Sequence, residues 1–512
     1  MDESQATAGE RDRVSRDRLE KVAALRERGV EPFAYSFDPM HDAGSALAAF
    51  VDGGEGEGGA EIVVRLAGRV VSKRDMGKST FVHLADRTGR IQLYFRVNQL
   101  GADTYGLLDL VDLGDWIGVA GPLFRTRTGE VSVRVDEFAL LAKSIRPLPM
   151  GKEEVDAETG ERRVYSGFTD VEARYRQRYA DLAVNPEVRE VFVTRARIVT
   201  ALRRFLDERG FIEVETPVLQ PLYGGAAARP FVTHHNALDM QLYLRIADEL
   251  YLKRLIVGGM ERVYEISKDF RNEGIDRFHN PEFTMLEFYA AYLDYEGVMR
   301  ITEEMLSAVA MSVFGSTRVE RDGTEIDFAP PYARYTMYEA LREIGGVDVE
   351  TLSDAEMGER VRALGVSADE VKTMGRGKLI DELFGELVEP KLVQPTFITD
   401  YPREMSPLAK PKRGNDELTE RFELIVAGKE LCNAYSELND PIDQRSRFEA
   451  QVRLKAAGDE EAQGMDEDFI RAMEYGMPPT GGFGMGVDRL TMILTGQPSI
   501  RDVILFPTLR PE

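Results

Sequence analysis

An α+β chain with a small barrel ahead of a larger sheet-and-helix part is predicted from three observations. Short β-type runs separated by turn residues recur between residues 61 and 147. From about residue 186 an amphipathic helical pattern takes over and then alternates with long apolar strands. Two of those strands carry charged residues on faces that are otherwise apolar, which marks a binding site rather than plain core.

Residues 1–60 are poor in apolar side chains and read as a tail with one helix. Leu19, Val22, Ala23 and Leu25 fall near helical period, which predicts a helix over 15–28. The run 52–59, Asp-Gly-Gly-Glu-Gly-Glu-Gly-Gly, predicts a flexible acidic loop. Residues 61–147 offer five strands, at 62–66, 80–84, 91–95, 116–120 and 131–135, and five short strands suit an OB-fold barrel. Arg65, Arg69, Lys73, Arg74, Lys78, Arg90, Arg96, Arg125 and Arg127 interleave there with Phe81, Tyr94, Phe95 and Phe124. That mixture fits single-stranded nucleic acid, whose bases stack on aromatic rings while cations follow the phosphates. A solvated barrel with core aromatics is the competing reading.

Residues 148–185 read as a charged linker with an exposed excursion at 153–163. The remainder, 186–512, reads as one α+β domain. Ile198, Leu202 and Phe205 set a helix over 191–208 that Gly210 ends, and a strand over 211–216 is stopped by Pro217. A small helical insertion is expected at about 345–390.

The chain of 512 residues is long enough for several domains, and its 43% hydrophobic and 30% charged content reads as globular. A net charge of -24 argues against bulk nonspecific nucleic-acid binding but leaves room for a local basic face. The single cysteine, Cys432, excludes an intrachain disulfide, and the five histidines lack zinc-ligand spacing. No signal peptide or membrane span is legible, so a cytoplasmic protein is expected.

Three segments carry the chemistry. The first, 270–289, places Arg271 at the tip of one apolar strand and returns on another. On that second strand Glu287 shares parity with Phe283, Met285 and Tyr289, and a carboxylate there calls for a cationic partner. An arginine at such a tip suits a phosphate-bearing substrate. The second, 423–437, gives Asn433, Tyr435 and Glu437 one strand parity, with Glu423 and Glu430 as hard-cation ligands. Glu430 has the opposite parity, so that role requires a bulge or turn near Gly428. The third, 481–494, runs from glycines into a helix whose Arg489 would add a cation where anions already bind well. Two apparent motifs fail: Gly77-Lys78-Ser79 has Ser72 where a P-loop needs glycine, and the glycines at 482–486 lack dinucleotide spacing. Together the segments describe a site for a nucleoside triphosphate and a cationic small molecule.

These segments resemble the three signature motifs of class II aminoacyl-tRNA synthetases, in the lysine-specific bacterial and eukaryotic group. Motif one matches 210–217 and continues through 224–231; motif two is 270–289; motif three is 481–490. Tyr175-Arg176-Gln177-Arg178-Tyr179 and the barrel segment 89–94 match as well. The resemblance implies an antiparallel sheet of six or seven strands flanked by helices, a homodimer built on motif one, and an OB-fold reading the anticodon. It implies ATP as substrate, Mg2+ on Glu423 and Glu430, and L-lysine and tRNA(Lys) as partners.

By matched position, Arg271 holds the α-phosphate and the lysine carboxylate, and Arg489 the γ-phosphate. Glu273, His279, Asn280 and Phe283 take the rest of the nucleotide. Gly225 and Glu249 take the lysine α-amino group, Glu287 and Tyr289 the ε-ammonium with Glu437 near it, and Asn433 and Tyr435 contact the amino acid. Phe81, Gln92 and Glu130 read anticodon bases. An aspartyl- or asparaginyl-type sister enzyme, a ligase attaching a lysine-like group to protein, and a non-catalytic tRNA-binding relative are the alternatives. The two pocket glutamates, the barrel and the intact site residues respectively speak against them.

Overall fold

The computed structural model describes residues 3–50, 62–155, 162–165, 167–321, 323–456 and 464–511. The acidic loop expected at 52–59 lies outside them. Two compact units divide the chain, Met1–Asn185 and Pro186–Glu512.

In the first unit, β1 (Val63–Asp75), β2 (Ser79–Ala85), β3 (Arg90–Arg96), β4 (Trp116–Arg125) and β5 (Val131–Arg134) close into a barrel. β1 pairs with both β2 and β4, and β3 pairs with β5 in parallel. A sixth strand, β6 (Glu137–Ala142), which the strand signals did not show, adds to β4 outside the closed ring. Alternation decides which side chains face in: Val82, Leu84, Ile91, Leu93 and Phe95 are core, leaving Phe81, His83, Gln92 and Tyr94 facing out.

The first helix, α1 (Glu3–Glu27), begins well before the expected position. It is tied to the barrel by Arg18, whose guanidinium donates to the carbonyls of Ser144 at 2.7 Å and Leu113 at 3.0 Å, and by Lys21 on Asp112 at 2.6 Å. The expected linker also carries structure. The excursion opens into a hairpin, Lys152–Val155 with Arg162–Tyr165, and two short helices follow, Val171–Arg176 and Arg178–Val184. Buried Arg178 and Asp181 pair there at 2.7 Å.

The second unit begins with α2 (Pro186–Asp207), whose buried Ile198, Leu202 and Phe205 are the predicted stripe; Gly210, in the left-handed region at φ 76°, follows its end. The strand expected over 211–216 shrinks to β7 (Ile212–Glu213). It joins β8 (Arg262–Phe270), β9 (Glu282–Ala291), β10 (Ala333–Thr336), β11 (Thr396–Thr399), β12 (Arg421–Val426), β13 (Lys429–Ser436) and β14 (Thr480–Gly486). These eight strands form one sheet in the order β10-β11-β12-β13-β14-β9-β8-β7. Its six central strands are antiparallel, and each edge strand, β7 and β10, is added in parallel. Phe288, Phe422, Phe483 and Met485 point to one face, into the core closed by α2 and α3 (Tyr295–Phe314). The other face carries the site. The insertion folds as helices Asp354–Ala363, Ala368–Thr373 and Arg376–Leu387 whose Val361, Leu379, Leu383 and Phe384 share a core with Ile398 and Ile425 of the sheet.

Candidate active site

The site's floor is a cross-strand register. Glu423, Asn433, Gly484 and Glu287 stand opposite one another on β12, β13, β14 and β9, and so do Arg421, Tyr435, Gly482 and Tyr289 one step along. Directly opposed residues share a face, so the two glycines leave a trough with polar walls. Room is the reason for glycine: a Cβ on Gly482 would meet Glu437 Oε1 at 1.8 Å and Tyr289 Cε1 at 2.6 Å.

Glu430 reaches this face through a one-residue bulge. Leu424 pairs with Cys432 and Ile425 with Glu430, so Leu431 is the extra residue and the parity of Glu430 is reset. The bulge required near Gly428 is therefore present, three residues further on.

The trough opens into a cavity of about 410 Å3. Arg271, Glu273, His279, Asn280, Phe283, Glu287 and Tyr289 line one side. Glu430, Asn433, Tyr435, Glu437 and Arg489 line the other, with Gly225 and Glu249 at one end. Of the residues singled out for the catalytic part, Glu423 alone is not on its lining. It stands behind, held by Arg421 at 2.6 Å.

At the end that carries Arg271 and Arg489, the Arg271 guanidinium lies over the Phe283 ring, 5.1 Å from its centroid. Its buried Nε has no hydrogen-bond partner. Arg489, on α4 (Val487–Thr495), donates to the Glu430 carbonyl at 2.8 Å and lies 3.2 Å from both the Glu430 carboxylate and His279 Nε2. The neighbouring Asp488 anchors this helix: it accepts from the Thr284 amide at 2.7 Å and pairs with Arg195 at 2.6 Å. Glu273 and His279 are exposed, whereas Asn280 is buried and donates to the Glu282 carbonyl at 2.6 Å. Burial pushes Glu423 up to about 7, against the pull of Arg421 and with the help of Glu430. A buried carboxylate with a second one beside it suits a divalent cation shared with phosphates.

The other end is acidic. Glu287 is buried, accepting from the Asp248 amide at 3.3 Å and the Tyr289 hydroxyl at 3.2 Å. Burial first, then the charges of Asp248, Asp269 and Glu249, hold its carboxyl well above the ordinary range. Among the described residues, no lysine, arginine or histidine pairs with it. Glu249 opens the helix α5 (Glu249–Val257), and Gly225, at φ 91°, would bring a Cβ to 3.1 Å from the Glu249 Cβ. The expected Gly225–Glu249 pair is thus assembled.

Two residues went unread. Arg421 joins the Glu423 carboxylate to the Asn433 Oδ1, at 2.6 and 2.9 Å, and its shared parity with Glu423 was the available signal. Lys253 is fully buried and contacts both Glu249 and Glu437. Its i,i+4 spacing from Glu249 reads as an ordinary helix-surface pair.

In the barrel unit, Phe81 stacks on Tyr94 with centroids 4.7 Å apart, and Phe124 meets Tyr94 at a tilt with centroids 5.7 Å apart. Beside this ladder Glu130 accepts from Gln92 at 2.7 Å and lies 3.0 Å from His83 Nε2. The three expected base-reading residues therefore share one surface. Not every cation interleaved with the aromatics serves it. Arg65 pairs with Glu137 at 3.1 Å over the Phe37 ring, and Arg69 packs over Trp116 while donating to the Gly114 carbonyl.

Comparison with known proteins fits this geometry. A family model described as tRNA synthetases class II (D, K and N) matches residues 170–510. The chain belongs to the class II tRNA synthetases. A second model, described as an OB-fold nucleic acid binding domain, matches residues 64–141 of the synthetase. A lysine–tRNA ligase of Pelotomaculum thermopropionicum is 53% identical to it over 98% of this chain and 95% of the relative. One of Moorella thermoacetica is 54% identical over 97% of each chain. One of Porphyromonas gingivalis is 54% identical over 98% of this chain and 86% of the relative. No helix among the described residues is long and apolar enough to cross a membrane.

Proposed function

We propose that this synthetase is a lysine–tRNA ligase. It activates L-lysine with ATP to lysyl-adenylate and pyrophosphate, then transfers the lysyl group to the 3' end of tRNA(Lys). The observation that carries the reading is Glu287: a buried carboxylate facing the cavity with no cation of its own among the described residues. An ε-ammonium beside the Tyr289 hydroxyl completes it. Relatives of nearly the same length bear that activity.

In the first step a lysine carboxylate oxygen bonds to the α-phosphorus, and the bond to the pyrophosphate oxygen breaks in line with it. The carboxylate is already a nucleophile, so no general base is needed. Positioning and charge stabilisation remain, by Arg271 at the α-phosphate and carboxylate and by Arg489 at the γ-phosphate. Phe283 offers its ring to the adenine, Glu273 accepts from the adenine amino group, and His279 and Asn280 line the nucleotide. Glu423 and Glu430 would hold Mg2+, which neutralises phosphate charge when bound. Gly225 and Glu249 take the α-amino group, while Asn433, Tyr435 and Glu437 close the pocket.

The barrel face of Phe81, Gln92 and Glu130 reads the anticodon of the tRNA. Ile212, Val218, Leu219, Leu222 and Val232 expose apolar surface in the motif-one segment, and this supports a homodimer built there. A reducing, cytoplasmic location suits the one buried thiol, Cys432.

The test is exchange of labelled pyrophosphate into ATP with each standard amino acid in turn. Exchange with lysine alone is expected. Exchange with aspartate or asparagine instead overturns the pocket reading, and none with any amino acid favours a non-catalytic relative.

A further inference from the structure

Lys253 has no part in the reading above, yet it is buried against two carboxylates that line the cavity. Its ammonium is completely buried, touches one oxygen each of Glu249 and Glu437, and stands 5.5 Å from the centroid of the Tyr435 ring. Both carboxylates are themselves buried and both line the cavity. Burial alone would pull the ammonium down, but Glu249 and Glu437 more than offset it, so it stays charged.

We propose that Lys253 is a specificity-determining positioning residue, an internal cation that balances Glu249 and Glu437 and turns their remaining oxygens toward the bound amino acid. The proposal rests on the lysine reading of the site. Two geometric facts carry it. First, the cavity end would otherwise hold Glu249, Glu287 and Glu437 together with no lysine or arginine ion-paired to any of them among the described residues. An uncompensated buried charge of that kind takes up protons or recruits a foreign cation. Second, the ion pair of Lys253 with Glu437 is to Oε2, while Oε1 lies on the side of the missing Gly482 side chain. One oxygen is thus tethered and one is kept open. With two of the three carboxylates sharing Lys253, Glu287 is the one with no ion-paired cation among the described residues. Around the cluster the other titratable groups are Tyr435, Tyr289, Glu287 and Asp248, all acidic in kind; Lys410 and Arg413 share a second cavity with Glu437, but Lys410 is held by Asn439 and Arg413 by Glu420 and Asp294.

The test compares the full-length wild type with Lys253→Met, Lys253→Arg and the charge-neutral pair Lys253→Met/Glu437→Gln. In lysine-dependent pyrophosphate exchange, Lys253→Met should raise KM for lysine by roughly 30-fold or more and change KM for ATP by less than about threefold. Lys253→Arg, which keeps the charge, should recover part of the loss. The pair should recover part of it, because the unbalanced carboxylate has been removed with its partner while the contact of Glu437 with the amino acid is lost. An unchanged KM for lysine in Lys253→Met overturns the proposal, as does a double variant no better than the single. Thermal melts of the unliganded proteins test the same cluster without any amino acid. Without Lys253 the like-charged pair should hold a proton in the folded state, so stability should fall more steeply between about pH 6 and pH 9 in Lys253→Met than in wild type or the double variant. Equal slopes overturn the proposal. Wild-type exchange with an amino acid other than lysine would instead sink the lysine reading and leave the melts to decide the clamp.

Discussion

Gly482 and Glu437 interlock: the space that a side chain at 482 would fill is taken by the Glu437 carboxylate, 1.8 Å from where the Cβ would stand. The glycine run of motif three is therefore the floor beneath the acidic end of the pocket as well as a way into the helix that presents Arg489. Gly482→Ala should displace Glu437 or Tyr289 and lower kcat/KM for lysine by about 10²-fold, since displacements near 1 Å at a reacting site cost that much. ATP affinity measured by calorimetry should change little. Full activity in this variant would show that the trough can deform freely.

Arg271 lines the cavity, seated over Phe283 with a buried Nε that has no hydrogen-bond partner. Arg271→Ala should reduce lysine-dependent pyrophosphate exchange by at least about 10²-fold, the usual loss for a donor aimed at developing charge. Its circular dichroism and sedimentation should match wild type. Normal exchange would remove Arg271 from the chemistry.

On the proposed reading, Glu287 supplies the discrimination. Glu287→Gln keeps the shape but removes the charge that an ε-ammonium would pair with. KM for lysine should rise by roughly 10²-fold, about 3 kcal/mol, with KM for ATP nearly unchanged. A proportionate rise in both would place Glu287 outside the amino-acid pocket.

The same carboxylates make lysine binding depend on pH. Glu287 is held well above the ordinary carboxyl range by burial and its acidic neighbours, and Glu437 is pushed up to about 8 by burial, with Lys253 pulling it back. An ammonium binds the ionised forms, so binding expels protons and strengthens as pH rises. KM for lysine should fall several-fold between about pH 6.5 and pH 8.5, with calorimetry in two buffers showing proton release. For stability the sign is opposite: a carboxyl raised in the folded state favours folding at low pH, and that contribution is lost as pH rises through about 8. The rise in melting temperature caused by lysine should accordingly be larger at the higher pH. A flat profile would mean that no cation meets these carboxylates.

On the barrel, Glu130 is held by both Gln92 and His83. Gln92→Ala should raise KM for tRNA(Lys) in aminoacylation by about tenfold, in line with about 1–3 kcal/mol for a base-edge contact, and leave pyrophosphate exchange untouched. Loss of exchange in this variant would contradict a role confined to the anticodon.

The sequence by itself determined the α+β class, the barrel ahead of the sheet, and the faces of the site strands. Period and parity are local properties, and Phe283, Glu287 and Tyr289 or Asn433, Tyr435 and Glu437 express them within a few residues. It also stated the condition on Glu430, a bulge, without being able to supply it. Only the tertiary structure decided the rest. The bulge at Leu431 depends on how β12 and β13 pair, and β6 and the closure of the barrel depend on pairing between distant strands. Whether a carboxylate is free or already neutralised depends on what lies across space. Glu287 and Glu437 look alike as glutamates on apolar strands, yet a lysine on another element meets one and not the other. Charge balance in a buried site is a sum over neighbours that the chain brings together only when it folds, and so it is invisible to spacing along the sequence.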